Sequence, residues 1–336
     1  MSNLANCILN KDISCTPIWF MRQAGRYLPE FRKIRLLNKD FIKLCLNSDL
    51  SSEITLQPLK RFNLDAAIIF SDILMVPYGL GQKIVFKKNE GPILSNLSLD
   101  KFLSSNKEEF LKKLNPIYTA IKKTRKKLNK KKSLIGFVGA PWTLAVYMLG
   151  LKKNKNLINY SKLKKNESEI KIIINKLNDF LCAHIESQFN AGADIIQIFD
   201  SWAGLIPQQN LVEFCYKPNQ KIVELCKKKK IPTISFPRGI NKQYSKFVDF
   251  VKPDCINLDY EIDPNWAKNN LKNVCLQGGM DPKMLFKSEN EIFNEVDKYL
   301  NIFKDLPYIF NLGHGLLPET NPDILEKVIE RVNNYK

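Results

Sequence analysis

Eight short apolar runs recur along the chain, each closed by turn residues and most followed by a stretch of helical periodicity. The runs are PIWFMRQ (17–23), AAIIFSD (66–72), LIGFVGAP (134–141), DIIQIFDS (194–201), PTISFP (232–237), CINLDY (255–260), VCLQGGMD (274–281) and YIFNLGHG (308–315). Such runs are apolar throughout rather than alternating, so they read as strands buried on both faces, as in a parallel sheet. The intervening segments have the helical period. Residues 169–193 end on Gly-Ala, 290–303 form another, and 323–335 follow Asn321-Pro322, a suitable helix start. No low-complexity linker or composition break divides the chain. The pattern predicts one α/β unit over residues 1–336, a (β/α)8 TIM-type barrel with its active-site cleft at the C-terminal ends of the strands. A doubly wound open sheet is the alternative. No GxGxxG opens a helix, so dinucleotide binding has little support.

Composition narrows the function. At 336 residues and 44% hydrophobic content the chain builds a large core. No stretch of 18 apolar residues suggests a membrane span, and the first 15 residues lack the layout of a signal peptide, so a cytoplasmic location is expected. The eight cysteines include no CxxC pair and read as reduced, mostly buried thiols. Two histidines, His184 and His314, exclude a histidine-rich metal site, and HExxH is absent. His184 lies in a helical stretch and reads as structural. Lys and Arg exceed Asp and Glu by 52 − 34 = 18. Eight of these cations sit in KKTRKKLNKKK (122–132), at a helix end and loop, where positive charge is favourable without any nucleic acid.

Polar residues close most of the runs: Arg22-Gln23, Ser71-Asp72, Asp200-Ser201, Gly278-Gly279-Met280-Asp281 and Gly313-His314-Gly315. In a barrel these positions face the active site. Asp281, before Pro282, reads as a helix cap. For Asp72, Asp200 and Ser201, capping and chemistry are both open. The stretch PIWFMRQAGRYLPEF (17–31) is the most unusual. Two arginines within an apolar run are costly unless something anionic meets them.

Six blocks, in order, carry a resemblance. PIWFMRQAGRYLPEF, AAIIFSDIL (66–74), GFVGAPWTLAVYMLG (136–150), FDSWAG (199–204), LQGGMDP (276–282) and NLGHGLLPETNP (311–322) are similar to the uroporphyrinogen decarboxylase family, over nearly the whole chain. The resemblance implies a (β/α)8 barrel, a homodimer, no metal and no organic cofactor, and a tetrapyrrole octacarboxylate as substrate. It implies that the segment Arg22, Gln23, Ala24, Gly25 and Arg26 contacts substrate. Phe31 and Arg35 would shape the same wall. Arginine suits such a ligand because its planar fork pairs with carboxylate in two parallel hydrogen bonds. Gly25 would allow a bend or a close approach to ligand.

The resemblance assigns catalysis to Asp72, with Arg22 as proton donor or as organiser of one. Tyr147, Ser201 and His314 would bind substrate, the two glycines beside His314 letting its ring approach. Two features stand apart. Arg238 in FPRG (236–239) is a possible extra contact, and PYGLGQKIVFKKNEGP (77–92) is either a flap or a hairpin. The competing reading is a corrinoid- or thiol-dependent methyltransferase of the same barrel superfamily, which uses a zinc site with an HxC-type pair. No HxC is present.

Overall fold

The computed structural model describes residues 1–87, 91–154 and 157–335. Its strands are β1 (Ala66–Ile68), β2 (Ile84–Lys87), β3 (Gly91–Leu94), β4 (Ser133–Gly139), β5 (Lys152–Asn154), β6 (Leu157–Ile158), β7 (Ile195–Asp200), β8 (Thr233–Pro237), β9 (Cys255–Leu258), β10 (Cys275–Gly278) and β11 (Tyr308–Ile309). Seven of them form one sheet in the order β1-β4-β7-β8-β9-β10-β11. Every pairing in it is parallel. Each of the seven coincides with one of the apolar runs, so the expected parallel architecture is present.

The eighth run closes the sheet into a ring. Ile18 bridges Phe310 in parallel, and the Phe310 N–H donates to Pro17 O at 2.8 Å. On the other side the Asp65 N–H donates to Ile18 O at 2.9 Å, while the Ile18 N–H donates to the Asp65 carboxylate at 2.8 Å. Pro17–Trp19 therefore stands between β11 and β1. The expected strand over 17–23 is shorter than its apolar pattern. The chain turns at Met21-Arg22, because Gln23 folds back: its side-chain oxygen accepts from Phe20 N and its amide donates to Ala66 O.

Inside the ring, Trp19, Met21, Ala66, Ile68, Ile135, Ile195, Ile234, Phe236, Cys255, Cys275 and Ile309 make one apolar cluster. Their spacing of two along each strand selects the inward face. The N-terminal helix Asn3–Leu9 joins this cluster through Leu4, Ala5, Cys7 and Ile8. An amide network threads the same interior. Gln277 accepts from Trp19 Nε1 at 2.8 Å and donates to Asn257 and Gln197. The outer core is larger and lies between sheet and helices.

Local signals account for the main helices. Glu167–Asn190 ends before Gly192, whose φ is 112°. Pro322–Asn333 is capped by the Asn321 side chain, and Glu289–Phe303 by a capping box between Ser288 and Glu291. Asp281 accepts from Lys283 N, so it does cap. The basic segment covers the last turn of Lys107–Lys127 and the loop after it. There Arg125 donates to Asp194 at 2.8 Å and to the carbonyls of Leu128, Asn129 and Lys132. β2 and β3 pair antiparallel, so the 77–92 segment contains a hairpin whose residues 88–90 lie outside the described set. All eight cysteines are free, and six are buried. No described helix is long and apolar enough to cross a membrane.

His184 is structural. It is buried, its Nδ1 is 2.8 Å from Tyr118 Oη, and Phe110 meets it edge-on. Burial pushes it down to about 3. An unfolded histidine titrates near 6.5, so between pH 6.5 and about 3 only the unfolded chain takes up this proton. The stability His184 contributes is present above pH 6.5 and lost as pH falls. Between pH 6.5 and 5 the native chain should lose about 2 kcal/mol more than His184→Gln, read by urea unfolding. An identical pH dependence in both would refute this.

Candidate active site

The site is built at the C-terminal ends of the strands. Arg22 follows Pro17–Trp19 directly. Its φ is 63°, a left-handed conformation that costs a side-chain-bearing residue about 1–2 kcal/mol. The turn has a purpose: Met21 and Gln23 on either side are buried, while Arg22 is exposed. The arginines of this segment therefore lie outside the core despite their apolar surroundings. They are turned out of it into the mouth of the barrel.

Two glycines make room for this turn. A Cβ on Gly25 would stand 2.7 Å from the Arg22 carbonyl oxygen. One on Gly315 would stand 2.5 Å from Arg22 Cδ and 2.7 Å from Cγ. Gly315 thus forms the slot in which the Arg22 side chain lies. Gly313 serves a different contact, since a Cβ there would meet Tyr260 N at 2.3 Å. The glycines flanking His314 therefore accommodate Arg22 and the backbone at Tyr260.

Asp72 follows β1. The Leu74 N–H donates to its Oδ1 at 2.8 Å, so one carboxylate oxygen caps the turn. The side chain is partly accessible, yet protein surrounds it. That burial pushes its carboxyl up to about 6, opposed by the Leu74 hydrogen bond and the charge of Arg22. Burial likewise pulls Arg22 below its usual range, Asp72 pushes it back, and Arg26 and Arg238 pull it down. Asp72 thus keeps accessible surface while protein packs closely around it, recessed at the C-terminal end of β1.

Tyr147 sits on the helix Pro141–Met148, where it is half-buried and its neighbours are buried. That helix is tied to the end of β7. Thr143 Oγ1 donates to Asp200 Oδ1 at 2.7 Å and accepts from Trp202 N at 3.1 Å. Trp142 Nε1 donates to Trp202 O at 2.9 Å, and the Tyr147 and Trp202 rings meet edge-on at 5.9 Å. Tyr147 and Ser201 are thereby held in one rigid piece. Burial pushes the Tyr147 phenol up, so it stays protonated at neutral pH. Asp200 also accepts from Asn219 and is buried beneath the cleft, so its role is structural. Burial pushes it up to about 6 as well.

His314 is half-buried after β11. Burial, then the charges of Arg22 and Arg238, push it down to about 4, so its ring is neutral at pH 7. The remaining residues of the first motif divide. Arg26 is exposed, and Ala24 and Gly25 are partly so. Gln23 spends its side chain on Phe20 and Ala66, leaving only its backbone for a ligand. Phe31 is buried against Phe70, with ring centroids 5.6 Å apart, and so backs the wall. Arg35 folds back onto Asn38 O and the Phe41 ring.

Two features were beyond sequence reasoning: the left-handed Arg22 and the slot at Gly315. The glycine itself was visible, but what it faces was not. Among the described residues no group of three His, Cys, Asp or Glu side chains is arranged to hold a metal ion.

The C-terminal ends of the strands therefore present the exposed Arg22 and Arg26, the Asp72 carboxylate, a phenol and a neutral imidazole. A match to the family model described as uroporphyrinogen decarboxylase runs over residues 1–335. The chain belongs to the uroporphyrinogen decarboxylase family. It is 42% identical to the uroporphyrinogen decarboxylase of Orientia tsutsugamushi (strain Ikeda), covering 100% of this chain and 99% of that protein. With that of Rickettsia bellii (strain RML369-C) it shares 40% identity, over 95% of each chain. Among solved structures, a methyltransferase from Methanosarcina mazei superposes with a TM-score of 0.82, covering 99% of this chain and 97% of that one. At 16% identity this likeness shows the barrel fold alone. The uroporphyrinogen decarboxylase family, not the methyltransferases, supplies the full-length sequence match.

Proposed function

We propose that the chain removes the four acetate carboxyls of uroporphyrinogen III, leaving methyl groups and giving coproporphyrinogen III in tetrapyrrole biosynthesis. One observation supports the reading: the recessed Asp72 carboxylate and the Arg22 guanidinium act on each other's charge, in a chain whose full length matches this decarboxylase family.

The chemistry asks little beyond these groups. A proton adds to the pyrrole α-carbon next to the carbon that bears the acetate, making an iminium-like cation conjugated to the acetate-bearing carbon. The C–CO2 bond then breaks and its electron pair flows into that cation. A second proton converts the exocyclic methylene to a methyl, and the ring proton leaves, for a net uptake of one proton per CO2. The pyrrole is its own electron sink, so the reading requires no metal or organic cofactor. Asp72, with one oxygen held by Leu74 N, has its other oxygen for pyrrole N–H groups and for the developing cation. Arg22 and Arg26 bind carboxylates. A guanidinium is a poor acid, so Arg22 is best assigned to orienting a water or a substrate carboxylic acid that delivers the proton. Tyr147, Ser201 and neutral His314 complete the substrate contacts, with the backbone of Gln23, Ala24 and Gly25.

The reading includes a single barrel domain over 1–336, a cytoplasmic location and a homodimer. Leu36 and Leu37, at a helix end, and Val85 and Phe86, on β2, are exposed apolar residues that could be covered in a dimer. Sedimentation would decide the dimer.

The deciding experiment is anaerobic incubation with uroporphyrinogen III, without added metal or cofactor, followed by oxidation and chromatography. Products with seven, six, five and four carboxylates establish the activity, and unchanged substrate from folded protein refutes it. The pH profile is a second check. Asp72 must be ionised, so kcat/KM should fall as pH drops through about 6. Asp200 titrates in the same range, but from a structural position, so the limb should persist in Asp200→Asn. A limb that vanishes there would assign it to Asp200 instead.

A further inference from the structure

We propose that Arg238 is a third carboxylate-binding cation of the cleft, holding a substrate side chain on the wall opposite Arg22. This rests on the function proposed above.

Ring order places it. Pro17–Trp19, β1, β4, β7, β8, β9, β10 and β11 follow one another around the barrel, so β8 stands four places from Pro17–Trp19, across the mouth. Arg22 and Arg26 follow Pro17–Trp19, Asp72 follows β1, Tyr147 follows β4, Ser201 follows β7 and His314 follows β11. That set covers one arc. Arg238, the residue directly after β8, extends it to the far wall.

The local structure holds Arg238 firmly. Its N–H donates to Asp200 O at 3.2 Å, and its carbonyl accepts from Gly204 N at 2.9 Å. Gly239 has a φ of 81°, and a Cβ on Gly204 would lie 2.5 Å from Gly239 O, so the two backbones touch. The turn bearing Arg238 is thus fastened to the loop bearing Ser201. The neighbouring acid, Asp259, is already occupied: its carboxylate accepts from Gly239 N, Tyr244 Oη and Glu261 N. Among the described residues Arg238 makes no ion pair. It is half-buried, and its charge reaches Arg22 and His314. A half-buried arginine whose backbone is fastened this firmly, and which makes no ion pair among the described residues, suits an anion brought by the ligand. A ligand with carboxylates on all four pyrroles presents one to each wall.

The test compares the full chain with Arg238→Gln and Arg238→Lys. Anaerobic quenching of tryptophan fluorescence by uroporphyrinogen III gives binding, and product counting gives KM and kcat. Arg238→Gln should weaken binding and raise KM by roughly tenfold, with a smaller change in kcat. Arg238→Lys should recover part of the loss, and the salt dependence of kcat/KM should flatten in the Gln variant. Unchanged binding in a Gln variant with wild-type melting overturns the inference, as does a loss in kcat alone. If the wild type binds but does not decarboxylate, the proposed reaction fails while weakened binding in the variant still supports Arg238. If it neither binds nor reacts, both readings fall.

Discussion

Asp72→Asn should lose at least about 100-fold in kcat, or roughly 3 kcal/mol of transition-state stabilisation, while keeping its fold. The substitution is isosteric. The Asn oxygen can still accept from Leu74 N, so the turn after β1 survives. What disappears is the charge, and one oxygen becomes an N–H donor facing pyrrole N–H groups and Arg22. A cation developing on the pyrrole then lacks its counter-charge. Stability should move the other way. The folded carboxyl is raised to about 6 by burial, so its ionised form destabilises the fold above that pH, and Asn removes the burden. An equal or higher Tm with collapsed turnover is the expected pair of results. A variant that retains more than about a tenth of wild-type kcat would take Asp72 out of the chemistry.

Gly315→Ala should cost on the order of 100-fold in kcat/KM through Arg22 alone. Gly315 is outside the left-handed region, so alanine meets no backbone strain there. Its Cβ would stand 2.5 Å from Arg22 Cδ, and the arginine must leave its slot. The side chain is flexible and near the surface, so the fold should lose little. Gly313→Ala is the contrast: its Cβ would strike Tyr260 N at 2.3 Å, backbone that cannot move aside, and should lower Tm. A double variant with Arg22→Lys tests the cause. If Gly315→Ala acts by displacing Arg22, the two losses should be far from additive. Full activity in Gly315→Ala would show that Arg22 works from another position.

Much of this was legible beforehand. Residues 66–72, 134–141 and 194–201 announce buried strands because burial on both faces leaves an unbroken apolar run, and the ring's order simply follows chain order. Asp72, Ser201 and His314 were findable because a strand's polar end must face the barrel mouth. Residues 17–23 read as a longer strand than they form. Their apolar pattern continues past the real contact at Pro17–Trp19, because Met21 and Gln23 are buried by a turn rather than by a strand. The inward amides Gln197, Asn257 and Gln277 gave no signal either, since each is unremarkable in its own run.

By itself, then, the sequence determined the elements, their order and the family, all properties carried by local patterning and linear motifs. Only the tertiary structure decided that Arg22 turns outward at φ 63°, that Gly315 hollows the slot for it, and that Arg238 stands on the facing wall. The physical reason is ring closure. It brings together residues hundreds of positions apart, and whether one side chain has room depends on atoms from the other end of the chain.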